Sequence, residues 1–214
     1  MKKTVIQIVL IAAVLGLVYL LYSQINTPME FDKIRERREK VVVDRLKDIR
    51  TAQRSYRQKY SRFTPSFDTL INFVKYDSII LEKTIGSEDD SLAVAQGRVY
   101  KKTFAVAVKD TIFPAGFNID EIRYIPFSEM VSAKLNDGKG EFSQFVMDTV
   151  SIETESKVVV PVFEAFAPYT TFLGDLDKQE LINFRDTRVN TLGRDDGLKV
   201  GSLKATTNEA GNWE

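Results

Sequence analysis

The chain has 214 residues, with 30 basic and 30 acidic side chains and neither cysteine nor histidine. That balance provides no whole-chain field to draw in nucleic acid. The two missing residue types exclude disulfides, thiolate metal sites, thiol nucleophiles and an imidazole general base.

Lys2 and Lys3 precede Thr4 to Tyr22, a run without charge whose one strongly polar side chain is Gln7. At a helical rise of about 1.5 Å per residue it covers roughly the thickness of a bilayer core, which predicts a transmembrane helix over residues 4–22. Leu20-Leu21-Tyr22-Ser23-Gln24 offers no A-x-A cleavage pattern, so the span reads as a retained anchor. Residues 1–3 then form a cytoplasmic tail, 23–62 a stalk and long helix, and 63–214 a β-rich extracytoplasmic head. Lys33, Arg35, Arg37, Arg38 and Lys40 compete with Lys2 and Lys3 for the cytoplasmic side. They are interleaved with Glu30, Asp32, Glu36 and Glu39, and long domains cross largely regardless of charge. The expected location is a single pass in a bacterial inner membrane, with the head in the periplasm. Gln7 reads either as a contact between spans or as an amide reaching the headgroup layer.

Asn26-Thr27-Pro28 predicts a short break, and Phe31 to Tyr60, free of Pro and Gly, a second helix. From Phe31 to Lys40 it is charged nearly all round, as a helix in solvent or beside copies of itself would be. Farther on, Val42, Leu46, Ile49, Gln53, Tyr56 and Tyr60 define one face that something must cover, either a partner helix or the chain's own sheet. The stripe is short for a free-standing coiled coil, which favours the sheet.

Ala52-Gln53-x-x-Tyr56, followed by Tyr60-Ser61-Arg62-Phe63 and Pro65, resembles the end of the long first helix in type IV pilins and type II secretion pseudopilins. In those families the segment leads into a Gly-x-aromatic-Pro turn. The resemblance implies an α+β fold in which a membrane helix continues into a long helix packed on an antiparallel β-sheet head, with a structural role in assembly. The pattern departs at Ser61, which replaces the usual Gly, and in having no prepilin processing site. Gly16 lies inside the span, and Leu21 stands where those families carry Glu. The whole chain also resembles a group of bacterial membrane-anchored proteins with this start and a Gly211-Asn212-Trp213-Glu214 ending, which implies a location and no activity.

Thr64-Pro65-Ser66 ends the long helix, and Ser66 or Asp68 can cap a short one through Val74. Ser78 to Ile85 and Arg98 to Thr111 read as strands, the latter with Phe104, Val106 and Val108 on one face. Between them Gly86 to Ser91 is a polar loop. Ile122 to Phe127 follows a loop through Pro114 to Asn118. Asn136-Asp137-Gly138-Lys139-Gly140 predicts a hairpin turn joining Met130 to Leu135 and Glu141 to Met147. Val158 to Phe166 is apolar on both faces but contains Pro161, so it is either a locally bent buried strand or an apolar edge that other subunits cover. Asp175 to Phe184 predicts a short helix, Arg185 to Gly197 a polar loop, and Leu198 to Leu203 a last strand.

Glu88-Asp89-Asp90, Asp175 with Asp177, and Asp195 with Asp196 are the oxygen-rich groups that could ligate Ca²⁺; none has EF-hand spacing, and a solvated loop is the default reading. The resemblance to pseudopilins, some of which carry a C-terminal calcium loop, directs attention to the later residues. Carboxylate pairs without a motif do not define an active site. No enzyme activity, cofactor, small-molecule substrate or nucleic-acid partner is expected; the expected partners are the membrane and copies of the chain or other membrane proteins. Gln7, Val42, Leu46, Ile49, Gln53, Tyr56 and Trp213 are the candidate interaction residues. Trp213, the single tryptophan, either tucks into a groove of its own domain or anchors a partner. Assembly through span and stalk is the first functional reading. A monomeric accessory module docking on a membrane complex is the second, and a membrane-tethered carboxylate hydrolase the third.

Overall fold

A computed structural model describes residues 2–85 and 100–214. Helix α1 (Lys2–Tyr60) is continuous over 59 residues and contains Pro28, so the expected break is absent. A proline removes one hydrogen bond and crowds the carbonyl four residues back, at a cost of about 3 kcal/mol. That penalty is local, and the helix formers on both sides carry the ladder past it. From Leu10 to Tyr22 every side chain is exposed. Farther on a single stripe turns inward: Phe31, Arg38, Val42, Leu46, Ile49, Gln53 and Tyr56 are buried. Each fully buried aliphatic in it contributes roughly 1.5–3 kcal/mol relative to exposure.

α1 ends at Ser61, whose φ of 56° is left-handed and whose N–H donates to the Arg57 carbonyl at 2.8 Å. Glycine enters that conformation at the least cost, so a serine here carries a small backbone strain. Two hydrogen bonds then lock the descending chain to the helix. Gln53 Nε2 donates to the Thr64 carbonyl at 2.6 Å, and Thr64 N–H donates to Gln53 Oε1 at 3.2 Å. The same amide lies 3.1 Å from Met147 Sδ, on the sheet.

Helix α2 (Phe67–Tyr76) starts at the Ser66 cap, as expected, and buries Phe67, Leu70, Ile71, Phe73 and Val74. Strands β1 (Ser78–Ile85) and β2 (Tyr100–Ala107) pair antiparallel, from Ser78 opposite Ala107 to Ile85 opposite Tyr100. β2 is shorter than its alternation suggests. Val108 is buried not by the strand but by the first turn of α3 (Val108–Ile112), where its N–H bonds the Asp77 carbonyl. The expected polar loop, with Glu88, Asp89 and Asp90, lies outside the described residues. A 3₁₀ turn follows at Ile119–Arg123.

The expected hairpin around Gly138 is instead a helix and its cap. Helix α4 (Ser128–Leu135) stops where Asp137 and Gly138 adopt positive φ. Gly138 N–H bonds the Ala133 carbonyl at 2.8 Å, the six-to-one closure of a Schellman cap. Asn-Asp-Gly serves either structure, and Glu129, Met130, Ala133, Lys134 and Leu135 are helix formers. Strands β3 (Val146–Glu153), β4 (Val159–Pro168) and β5 (Gly197–Gly201) form a second sheet in that order. β3 therefore starts later than the expected Glu141 to Met147.

β4 is central, not an edge strand, despite Pro161. β5 has five residues against ten in β4. Its last residue, Gly201, lies so close to the Phe163 carbonyl that a side chain there would collide with it. Pro161 sits beyond that end and needs no donor on that side. After β4 come helices α5 (Tyr169–Leu173) and α6 (Lys178–Asp186) and a π-helical turn at Thr187–Thr191. The last two occupy most of the expected loop, so the part after residue 62 mixes helix and sheet throughout. The class is α+β, a long apolar helix with small antiparallel sheets.

Two compact units divide the chain. The first comprises Met1–Asp44, Ile125–Ser143 and Ala167–Leu198; the second Arg45–Tyr124, Gln144–Phe166 and Lys199–Glu214. The first has its core at Phe31, Val42, Val131, Tyr169, Phe172 and Leu173; the second at Leu46, Ile49, Leu70, Ile122, Phe163 and Val200.

Gln53→Ala would leave the Thr64 amide and carbonyl buried without partners. It is expected to lower the unfolding free energy of the detergent-solubilised chain by about 2–4 kcal/mol. Gln53→Glu, which cannot donate to the Thr64 carbonyl and buries a carboxylate against it, is expected to lose at least as much at neutral pH; thermal melts compare the two.

Candidate functional site

Two places combine chemistry with shape, one in each unit. In the first unit, Phe31, Arg35, Arg38, Glu39 and Val42 share one face of α1, at the three- and four-residue steps that bring side chains together. Arg38 is buried; it donates to the Phe172 carbonyl at 2.7 Å and to both Asp175 oxygens at 2.5 and 2.9 Å. Its guanidinium lies 5.3 Å from the Phe127 ring centroid. Phe127 is held there at a φ of 67°, a conformation that strains a bulky residue. Burial opposes the ionisation of Asp175, but the hydrogen bonds and charge of Arg38 outweigh it and hold the carboxyl below its ordinary value.

Beside this pair lies a second polar group. Arg35 bridges Asp32 and Glu39 at 3.1 and 3.0 Å and lies 4.8 Å from the Phe184 ring centroid. Arg188 stacks 5.4 Å from both the Tyr169 and Phe184 rings. Burial pushes the Glu39 carboxyl above its ordinary value, and Arg35 and Arg188 pull it back only in part. Tyr169, fully buried, is pushed up to about 12, with burial the chief cause and Arg188 opposing. Glu39 Oε1, Tyr169 OH and Arg188 Nε lack hydrogen-bond partners among the described residues. Burial keeps the phenol in its neutral form.

The second place is a groove of about 440 Å³ in the second unit, between the end of α1 and the sheet, lined by Tyr56, Arg62, Phe63, Thr69, Val150 and Pro161 among others. A smaller recess of about 210 Å³ opens on the other side of Pro161, where β5 has stopped, and is closed by residues 202 to 209. Glu209, itself buried, holds that closing segment to α1 through Arg54 and Arg57 at 2.9 and 2.6 Å. Arg50 pairs separately with Glu214 at 2.6 Å. The larger groove is open and of mixed polarity, which suits a peptide or loop more than an enclosed small ligand.

Of the expected interaction residues, Gln7 is exposed. Val42, Leu46, Ile49, Gln53 and Tyr56 are buried within the chain; Tyr56 also borders the large groove. Trp213 packs its indole on Gly211. The acidic candidates have other engagements. Asp175 holds Arg38, Asp177 caps α6 by accepting from Gln179 and Glu180, and Asp196 pairs with Arg185. Asp195 also makes an interaction. Among the described residues no group of three or more metal-ligating side chains forms. Arg35, Arg38, Glu39, Tyr169 and Arg188 were not anticipated as a cluster. The spacing signal was present, because Phe31, Arg35 and Arg38 continue the Val42 stripe backwards in the same register; their charge hid it.

Compared with protein families, curated proteins and solved structures, the chain matches none.

The two buried carboxyls predict opposite pH behaviour. Arg38→Ala is expected to destabilise the detergent-solubilised chain by roughly 3 kcal/mol at neutral pH. That difference shrinks as pH falls through the lowered Asp175 value, because the pair's contribution exists only while Asp175 is ionised. Glu39→Gln should gain stability relative to wild type as pH rises, because a raised carboxyl loses its advantage above its ordinary value. Denaturant unfolding compared at about pH 2, pH 4 and pH 7 checks both signs, the lowest pH for Asp175 and the upper two for Glu39.

Proposed function

We propose that the chain is a single-pass membrane-anchored structural protein, pilin-like in layout, that works by protein–protein association rather than by chemistry. The observation that carries the membrane part is the surface of α1. The helix is long and apolar enough to cross a bilayer, and its side chains from Leu10 to Tyr22 are exposed all round. A continuous apolar cylinder of that length is stable in lipid and aggregates in water. The proposed orientation puts the folded part in the bacterial periplasm. Support for the pilin-like reading comes from the junction at the end of α1, where Gln53 locks the chain after a left-handed Ser61.

A second reading, a monomeric accessory module docking on a membrane complex, is favoured by one observation. Arg38 turns onto α5 and Arg35 onto α6 of the same chain, so that face of the stalk is not free for a copy. Self-association then falls to the apolar segment and to the outward stalk residues Lys33, Arg37 and Lys40, which are exposed. The groove beside Tyr56 is where the module would receive its partner.

Single cysteines can be placed freely, since the chain has none. The assembly reading expects carbonate-resistant membrane association, and cross-linked dimers from Gly16→Cys and Arg37→Cys that increase with protein density in the bilayer. Monomers at every density from both positions overturn assembly in favour of the accessory module. Release of the whole chain by carbonate overturns both.

A further inference from the structure

We propose that the turn from Ile182 to Leu192 rests on the bilayer surface, with Ile182, Val189 and Leu192 in the headgroup layer. The inference deepens the membrane-anchored reading and depends on it.

Within the first unit, α6 descends beside α1 in the opposite direction. Asp175, just before α6, pairs with Arg38, while Phe184, near its end, meets Phe31 at a ring-centroid distance of 6.1 Å. The chain then turns back, and Arg188 lies over Tyr169. The end of α6 and the π-helical turn therefore sit at the level of Phe31. Beyond the span's end at Tyr22, Ile25 is the next aliphatic along α1, and from it to Phe31 the helix rises about 9 Å. The headgroup region adds roughly 5–8 Å to each side of the hydrocarbon core. A segment held at Phe31 is thus within side-chain reach of the headgroups.

Its composition fits that position. Ile182 is 47% exposed, Val189 38% and Leu192 55%, although each is an aliphatic side chain. The arginines among them are tied elsewhere: Arg185 to Asp196, and Arg188 over two aromatic rings. Entry of these aliphatics into the interface consequently leaves no arginine of that pair to be stripped of water. Interfacial segments bury their apolar side about 5–10 Å deep while polar groups stay in water. The nearby exposed charges are mixed, with Lys33, Arg37 and Arg194 against Asp32, Glu36 and Asp186. The contact is therefore apolar in origin and does not require anionic lipid.

The test places an environment-sensitive fluorophore on Val189→Cys and Leu192→Cys in the full chain, reconstituted in phosphatidylcholine vesicles with and without phosphatidylglycerol. Tyr19→Cys, in the apolar segment, and Lys139→Cys, on the turn after α4, serve as references. Lipids spin-labelled at the headgroup should quench positions 189 and 192 several times more strongly than 139, equally in both vesicle types, with emission shifted to the blue. Lipids labelled deep in the acyl chain should quench position 19. Quenching at 189 and 192 no greater than at 139, with position 19 still quenched, overturns the surface contact and leaves the anchor standing. Loss of quenching at position 19 overturns the anchor, and the contact with it. Quenching that appears only with phosphatidylglycerol overturns the apolar origin.

Discussion

Burial of a single stripe along α1 is the constraint on which both units rest. Phe31, Arg38 and Val42 serve the core of the first unit; Leu46, Ile49, Gln53 and Tyr56 serve that of the second. A helix of this length has little reason to stay ordered in water by propensity alone; tertiary packing of one face stabilises it. From Leu10 to Tyr22 the side chains are instead exposed all round. The same helix therefore presents two surfaces, one face buried against the protein for half its length and, nearer its start, an apolar surface on every side.

The two ends of the inward stripe are filled by different chemistry. Near Tyr56 the partners are aromatic, with Phe73 edge-on at 5.2 Å and Tyr60 at 4.7 Å. Near Arg38 they are ionic and hydrogen-bonded. Replacing a buried ion pair with apolar residues is often neutral for stability, whereas removing one partner is costly. The Arg38–Asp175 pair thus adds little net stability over an apolar contact, although losing one partner would be costly. Two acceptors on Asp175 and one on Phe172 fix the guanidinium more narrowly than a leucine contact would.

Much of the fold was legible wherever a local signal was unambiguous. The Ser66 cap, the strand from Ser78 to Ile85 and the end of α1 at Tyr60 follow from capping, alternation and the break before Pro65. Segments whose signals serve two structures were misread. Asn136-Asp137-Gly138 closes helices as readily as hairpins, and Pro161 marks the end of a neighbouring strand as readily as a sheet edge. The polar cluster was hidden for another reason: sequence periodicity counts apolar residues, and Arg35, Arg38 and Glu39 occupy inward positions only because distant residues such as Asp175 and Arg188 come to meet them. The spacing of Phe31, Arg35, Arg38 and Val42 marks the face, but nothing local to Lys33 to Lys40 names the residues that come to fill it.

Pro28 gives α1 a mechanical property that composition alone does not suggest. Its ring nitrogen cannot return a hydrogen bond to the Gln24 carbonyl, so one rung of the ladder is missing just beyond the apolar segment. Helices bend most easily at such a rung. Thermal rocking of the lower segment is therefore absorbed there as flexure instead of being levered into the packed residues above, and the joint isolates the folded portion much as a compliant coupling isolates a shaft.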